Sequence, residues 1–131
     1  MAAEEASFTI EADLSQVREL ARFVRQEAGL NEAALADLEL AVVEAANNII
    51  LHGYGGGGGL IRCHVQRGAD AVRVTLSDSG APIPEDMLRN AQPTSQMAES
   101  GRGLAIIRAC VDEIAYTSAA GANRLTLVKA G

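Results

Sequence analysis

Between Asn31 and Gly59 the chain carries one helical pattern and then abandons it outright. Ala34, Leu38, Ala41, Val42, Ala45 and Ile49 recur at three- and four-residue steps, which gathers apolar side chains on one helical face. Asn31 is placed to cap this helix, and the pattern carries it to about Leu51. Glycines 55 to 59 then break the chain, and from Leu60 the apolar residues alternate with a period of two. A chain that changes period so sharply must bury a helix against a sheet, because neither apolar surface is stable alone. With 131 residues, 48% of them hydrophobic, it can form one packed core, so a single domain over residues 1–131 is expected.

The remaining elements support that plan. Phe8 to Glu11 is a short strand, and Asp13 can cap a first helix whose buried stripe is Leu14, Val17, Ala21 and Val24, ended by Gly29. Leu60 to Gln66 and Val72 to Ser77 read as antiparallel neighbours joined by the turn residues 67 to 70. From Gly80 to Gly101 the chain is rich in Pro, Ser, Glu and Gln, a long functional loop with a short helix around Glu85 to Asn90. Leu104 to Val111 returns to helical spacing, and Ile114 to Thr117 with Arg124 to Val128 close the chain as strands around a 121–123 turn. The expected class is α+β: a two-layer sandwich with a mainly antiparallel mixed sheet and helices on one face.

Composition excludes several function classes. A net charge of -6 repels phosphate backbones, and 3% aromatic residues without Trp provide no base-stacking platform, so direct nucleic-acid binding is not expected. No run reaches the ~18–20 apolar residues of a membrane span, and the acidic start lacks the basic end of a signal peptide. The expectation is a cytoplasmic protein that does not enter a membrane. Cys63 and Cys110 have no companion at metal-ligand spacing and read as reduced core residues. The glycine run is not a phosphate-binding P-loop, because it precedes a strand and lacks the Lys-Ser/Thr ending.

Three elements carry chemistry when read together. Glu44 and Asn48 stand four residues apart on one helical face, so a carboxylate and an amide project into one site. Asp78-Ser79-Gly80-Ala81-Pro82 ends a strand, and Gly101-Arg102-Gly103-Leu104 opens a helix whose first amides favour phosphate. Their order and spacing resemble the N, G1 and G2 boxes of the GHKL ATPase and kinase superfamily, whose histidine-kinase-like ATP site is the Bergerat fold. The resemblance covers about Asp37 to Val128. The short length and the string His52-Gly53-Tyr54 look most like the anti-sigma-factor serine/threonine kinases of bacterial partner-switching systems.

That resemblance implies ATP and Mg²⁺ as cofactors. Asn48 would ligate Mg²⁺, and Glu44 would orient or deprotonate the attacking hydroxyl. Asp78 would accept from the adenine amino group, Gly80 would leave room for the base, and Thr126 would support Asp78 through a water. Residues 81 to 100 would form a lid, with Gly101, Arg102, Gly103 and Leu104 beside the phosphates. His52 would close the helix or support Asn48. The implied partners are a STAS-domain anti-anti-sigma protein, which is phosphorylated, a sigma factor, which is held, and a second copy in a homodimer. The alternative is a nucleotide-binding module that works through partner binding with little catalysis. Arg18, Arg22 and Arg25 form a basic stripe on the first helix, which reads either as a solvated face or as a docking surface for an acidic partner. Two features depart from the pattern: Gly121-Ala122-Asn123 replaces a Gly-Thr pair, which removes a threonine contact, and Arg89 is the one basic residue of the lid.

Overall fold

A computed structural model describes residues 4–84 and 99–131, with the side chains of residues 99–102 outside the description. Five strands form one sheet: β1 (Glu5–Glu11), β2 (Leu60–Arg67), β3 (Ala71–Asp78), β4 (Glu113–Ala119) and β5 (Ala122–Ala130). Their order is β1-β2-β3-β5-β4, and every pairing is antiparallel, so the expected mixed character is absent among the described strands. Three helices, α1 (Val17–Ala28), α2 (Glu32–Asn48) and α3 (Glu99–Cys110), cover one face. The α+β two-layer reading holds. None of the described helices is long and apolar enough to cross a membrane. The short helix expected around residues 85 to 90 lies outside the described residues.

Strand alternation builds the core. Ile61, Cys63 and Val65 of β2, Val72, Val74 and Leu76 of β3, and Leu125 and Leu127 of β5 are buried against Leu20, Val24, Leu38, Val42 and Ile107 of the helices. Burial pushes the Cys63 thiol up to about 12, so it stays protonated and fills the core as a small apolar group. Small residues Ala41, Ala45 and Ala46 on α2 let α3 and the sheet approach closely. The opposite sheet face is polar, as expected for an antiparallel sheet with one face in water.

Helix ends follow local chemistry. Asn31 accepts from the Ala34 amide and starts α2, and Gly29 adopts φ +68° to end α1. Asp13 caps a 3-10 turn over Leu14–Gln16 instead of α1 itself, which leaves Leu14 52% exposed and outside the expected buried stripe. The α-helical part of α2 stops at Asn48, and a π-helical turn over Ile49–Gly53 replaces the last turn that the spacing suggested. The β4–β5 hairpin turns on Ala120 and Gly121, both at positive φ, with Ala119 opposite Ala122. This two-residue turn sits earlier than the expected one at residues 121 to 123 and brings Asn123 into the strand.

Candidate nucleotide-binding site

The π-helical turn positions the site. Its wider winding carries the chain from Asn48 to Gly53, where the Gly53 carbonyl accepts from the Ala81 amide at 2.7 Å. Gly80 then lies so close to Gly53 that a Cβ on it would stand 2.6 Å from the Gly53 carbonyl carbon. The need for glycine at position 80 therefore already arises from the protein's own backbone, apart from any space that a bound base would require.

Residues 78 to 83 are tied down from several sides. Tyr54 Oη accepts from the Ser79 amide at 2.8 Å and donates to the Leu60 carbonyl at 2.7 Å. Asp78 Oδ1 accepts from the Gly80 amide at 2.8 Å, and Tyr116 Oη accepts from the Ile83 amide at 2.9 Å. Burial raises the Tyr116 phenol above its usual range, so it remains neutral at this wall. A Cβ on Gly59 would run into the Tyr54 ring, so the last glycine before β2 serves the ring that pins this loop.

Asp78 and Asn48 line one cavity of about 330 Å³, whose walls include Ile49, Leu104, Ile107, Tyr116 and Leu125. An apolar slot with a few convergent polar groups is the usual form of a small-molecule site. Asn48 also lines an adjoining niche of about 330 Å³ with Glu44, His52 and Gly103. A Cβ on Gly103 would lie 3.0 Å from Asn48 Nδ2 and 3.3 Å from Glu44 Oε1, so this glycine lets α3 press on the acid–amide pair. Helix α3 begins at Glu99, two residues before the glycine pair, so Gly101 falls in its first turn and Gly103 at the start of its second instead of preceding the helix. Gly101 is in that turn, and the Arg102 side chain lies outside the description.

The structure thus joins Glu44, Asn48, Asp78, Gly103 and Leu104 around two connected hollows. Thr126 is excluded. It faces Thr75 on the opposite side of the sheet, with the hydroxyls 3.4 Å apart, because strand alternation turns it away from Asp78. The residue opposite Asp78 is Asn123, which donates to Asp78 Oδ1 at 2.9 Å and to the Gly80 carbonyl at 2.8 Å. The threonine of the Gly-Thr pair is absent, and Asn123 supplies a different contact to Asp78 at this position. Its sequence signal was the inward phase of Asn123, Leu125 and Leu127. His52 is exposed at the rim and makes no hydrogen bond to Asn48.

The basic stripe of α1 is partly neutralised. Arg22 pairs with Glu19 at 2.9 Å, and Arg25 pairs with Glu32 at 2.8 Å and Glu39 at 3.3 Å. The hydrogen bond from Arg25 holds the Glu32 carboxyl below its ordinary range. Arg18 is exposed and makes no ion pair with a described residue.

Residues 10–129 match the family model described as the histidine kinase-like ATPase domain. This chain belongs to that family. It is 30% identical over 112 residues to the serine/threonine-protein kinase RsbT of Bacillus subtilis (strain 168), covering 85% of this chain and 83% of the kinase. It is also 30% identical over 95 residues to the anti-sigma F factor of Thermoanaerobacter sp. (strain X514), covering 70% of this chain and 66% of that factor. The fold matches the crystal structure of the RsbU and RsbW domains of Rv1364c from Mycobacterium tuberculosis, with a TM-score of 0.67 and 22% identity. That match covers 96% of this chain and 32% of the mycobacterial one.

Proposed function

We propose that this chain is an ATP- and Mg²⁺-dependent serine/threonine kinase that phosphorylates a STAS-type anti-anti-sigma protein and also sequesters a sigma factor. The observation that carries the reading is the apolar cavity with Asp78 at one part of its lining and Asn48 at another, where the Glu44 niche adjoins. The kinase and anti-sigma names of its relatives support the same direction.

The residues fit the cofactors. Asn48 and Glu44 offer hard oxygen donors and make no side-chain hydrogen bond with a described residue. Among the described residues no three His, Cys, Asp or Glu converge on a metal position. Mg²⁺ would therefore rest on Asn48, nucleotide phosphates and water, a coordination suited to an ion that keeps part of its hydration. Bound Mg²⁺–ATP supplies the phosphoryl group and the neutralising charge that its transfer needs. Asp78 accepts from the purine amino group, the aliphatic walls exclude water from the base, and first-turn amides of α3 attract phosphate. Glu44 orients the partner hydroxyl and takes its proton. Arg18 is the open cation of α1 for an acidic partner surface. Homodimer formation and a cytoplasmic location belong to the same proposal.

Calorimetric titration with ATP, with and without Mg²⁺, followed by phosphoryl transfer to a purified STAS-domain antagonist, tests it. Wild type binds ATP in a Mg²⁺-dependent manner and labels a serine or threonine. Asn48→Ala loses the Mg²⁺ dependence while its stability stays within about 0.5 kcal/mol of wild type. A folded wild type that binds no ATP would sink the proposal.

A further inference from the structure

Asn123 is 1% exposed and is the one buried polar residue among the described residues, so its amide must be fully partnered to be tolerated. It is. Nδ2 donates to Asp78 Oδ1 and to the Gly80 carbonyl, and Oδ1 accepts from Ser118 Oγ at 2.6 Å. A carboxylate and a carbonyl can only accept, so the amide nitrogen has to face them, and the Ser118 hydroxyl fixes the opposite side. A serine or threonine at this position would bring a single hydroxyl proton and could serve Asp78 or Gly80, but not both.

The consequence falls on Asp78. Its Oδ1 receives two donors, the Gly80 amide and the Asn123 amide, whereas Oδ2 receives none from a described residue. We infer that Asn123 is a specificity-determining positioning residue, which saturates Oδ1 so that the Asp78 carboxylate presents one acceptor oxygen to an exocyclic amino group and selects a 6-amino purine over a 6-oxo purine. This rests on the reading of the cavity as an ATP site. The carboxylate needs such a clamp because an acid free to rotate could also offer both oxygens to water, and its preference for one donor position would be lost. The β4–β5 hairpin is thereby a functional part of the pocket, acting through Asn123 and Ser118.

Equilibrium binding of ATP and ITP to wild type, Asn123→Ala, Asn123→Asp and Ser118→Ala tests the inference, with thermal melting on each. ITP carries oxygen where ATP carries the amino group. Wild type is expected to prefer ATP by about 10- to 100-fold, the range of a hydrogen bond to a charged acceptor. Asn123→Ala lowers that ratio by about tenfold. Asn123→Asp preserves the shape but sets one carboxylate against another, so above neutral pH it lowers ATP affinity further than Asn123→Ala does. Ser118 is exposed, so Ser118→Ala folds normally and lowers the ratio about threefold by releasing the amide. If wild type binds ATP and all folded variants keep its ATP/ITP ratio within about twofold, the inference is overturned. A folded wild type that binds neither nucleotide overturns the ATP reading and this inference with it.

Discussion

The two ends of the site are built on opposite principles. Around Asp78, backbone and side-chain groups are joined to Tyr54, Gly53, Asn123 and Tyr116 in a closed network. Around Glu44 and Asn48, the carboxylate and the amide make no side-chain hydrogen bonds with described residues. Selection of a base requires acceptors whose direction is settled before the ligand arrives, because reorienting them would consume binding energy. Metal coordination and proton transfer require polar groups with vacant valences, because a saturated oxygen can serve neither. On the proposed reading, the base end gains stability from the residues it would use, whereas at the other end Glu44 and Asn48 draw no side-chain hydrogen bond from a described residue.

The sharpest way to break this contrast is Glu44→Gln. It lowers phosphoryl transfer by about 10² to 10⁴-fold while ATP affinity and melting temperature stay at wild-type values. A fall in stability above about 1 kcal/mol would show that Glu44 belongs to the structural network after all. Gly80→Ala probes the other end and couples both readouts. Its Cβ collides with the Gly53 backbone, so denaturant unfolding should record a loss of about 1 to 3 kcal/mol together with failure to bind ATP. Retained stability in that variant would mean that the loop is softer than its hydrogen bonds imply.

Tyr54→Phe gives a smaller test of the same network. It removes the hydroxyl shared by the Ser79 amide and the Leu60 carbonyl, so stability falls by about 1 kcal/mol and ATP binds about fivefold more weakly. An effect on stability alone would detach the tyrosine from the pocket. The smallest effect is expected at Ala120, which holds φ +53° in a turn that favours Asn or Gly. Ala120→Asn should raise stability by about 0.5 to 1 kcal/mol, read as a higher melting temperature, and leave the phosphate-side activity unchanged.

The helix–sheet plan was legible because period, caps and breakers agreed along the chain: Asn31 and Gly29 act as the sequence suggests, and β2 and β3 pair as a hairpin. Glu44 and Asn48 were legible for a related reason, since their relation is set within one helix. Thr126 was misread because its hydroxyl type suggested a role that its strand phase forbids. The contact of Asn123 with Asp78 is not legible in the sequence, because the turn falls at Ala120 and Gly121 and that placement depends on pairing between strands. The use of Gly80 depends on a segment 27 positions earlier in the chain, which no local pattern encodes.

The π-helical turn over Ile49–Gly53 has a consequence for chain length. Deleting one residue there would allow α2 to continue as a regular α-helix, the more favourable winding for an isolated segment. The same deletion would swing Gly53 by about 100° around the helix axis and withdraw its carbonyl from Ala81. A shorter and locally more comfortable helix would thus be a blind one, and the irregular winding persists as the length at which this helix can still meet its neighbour across the cavity.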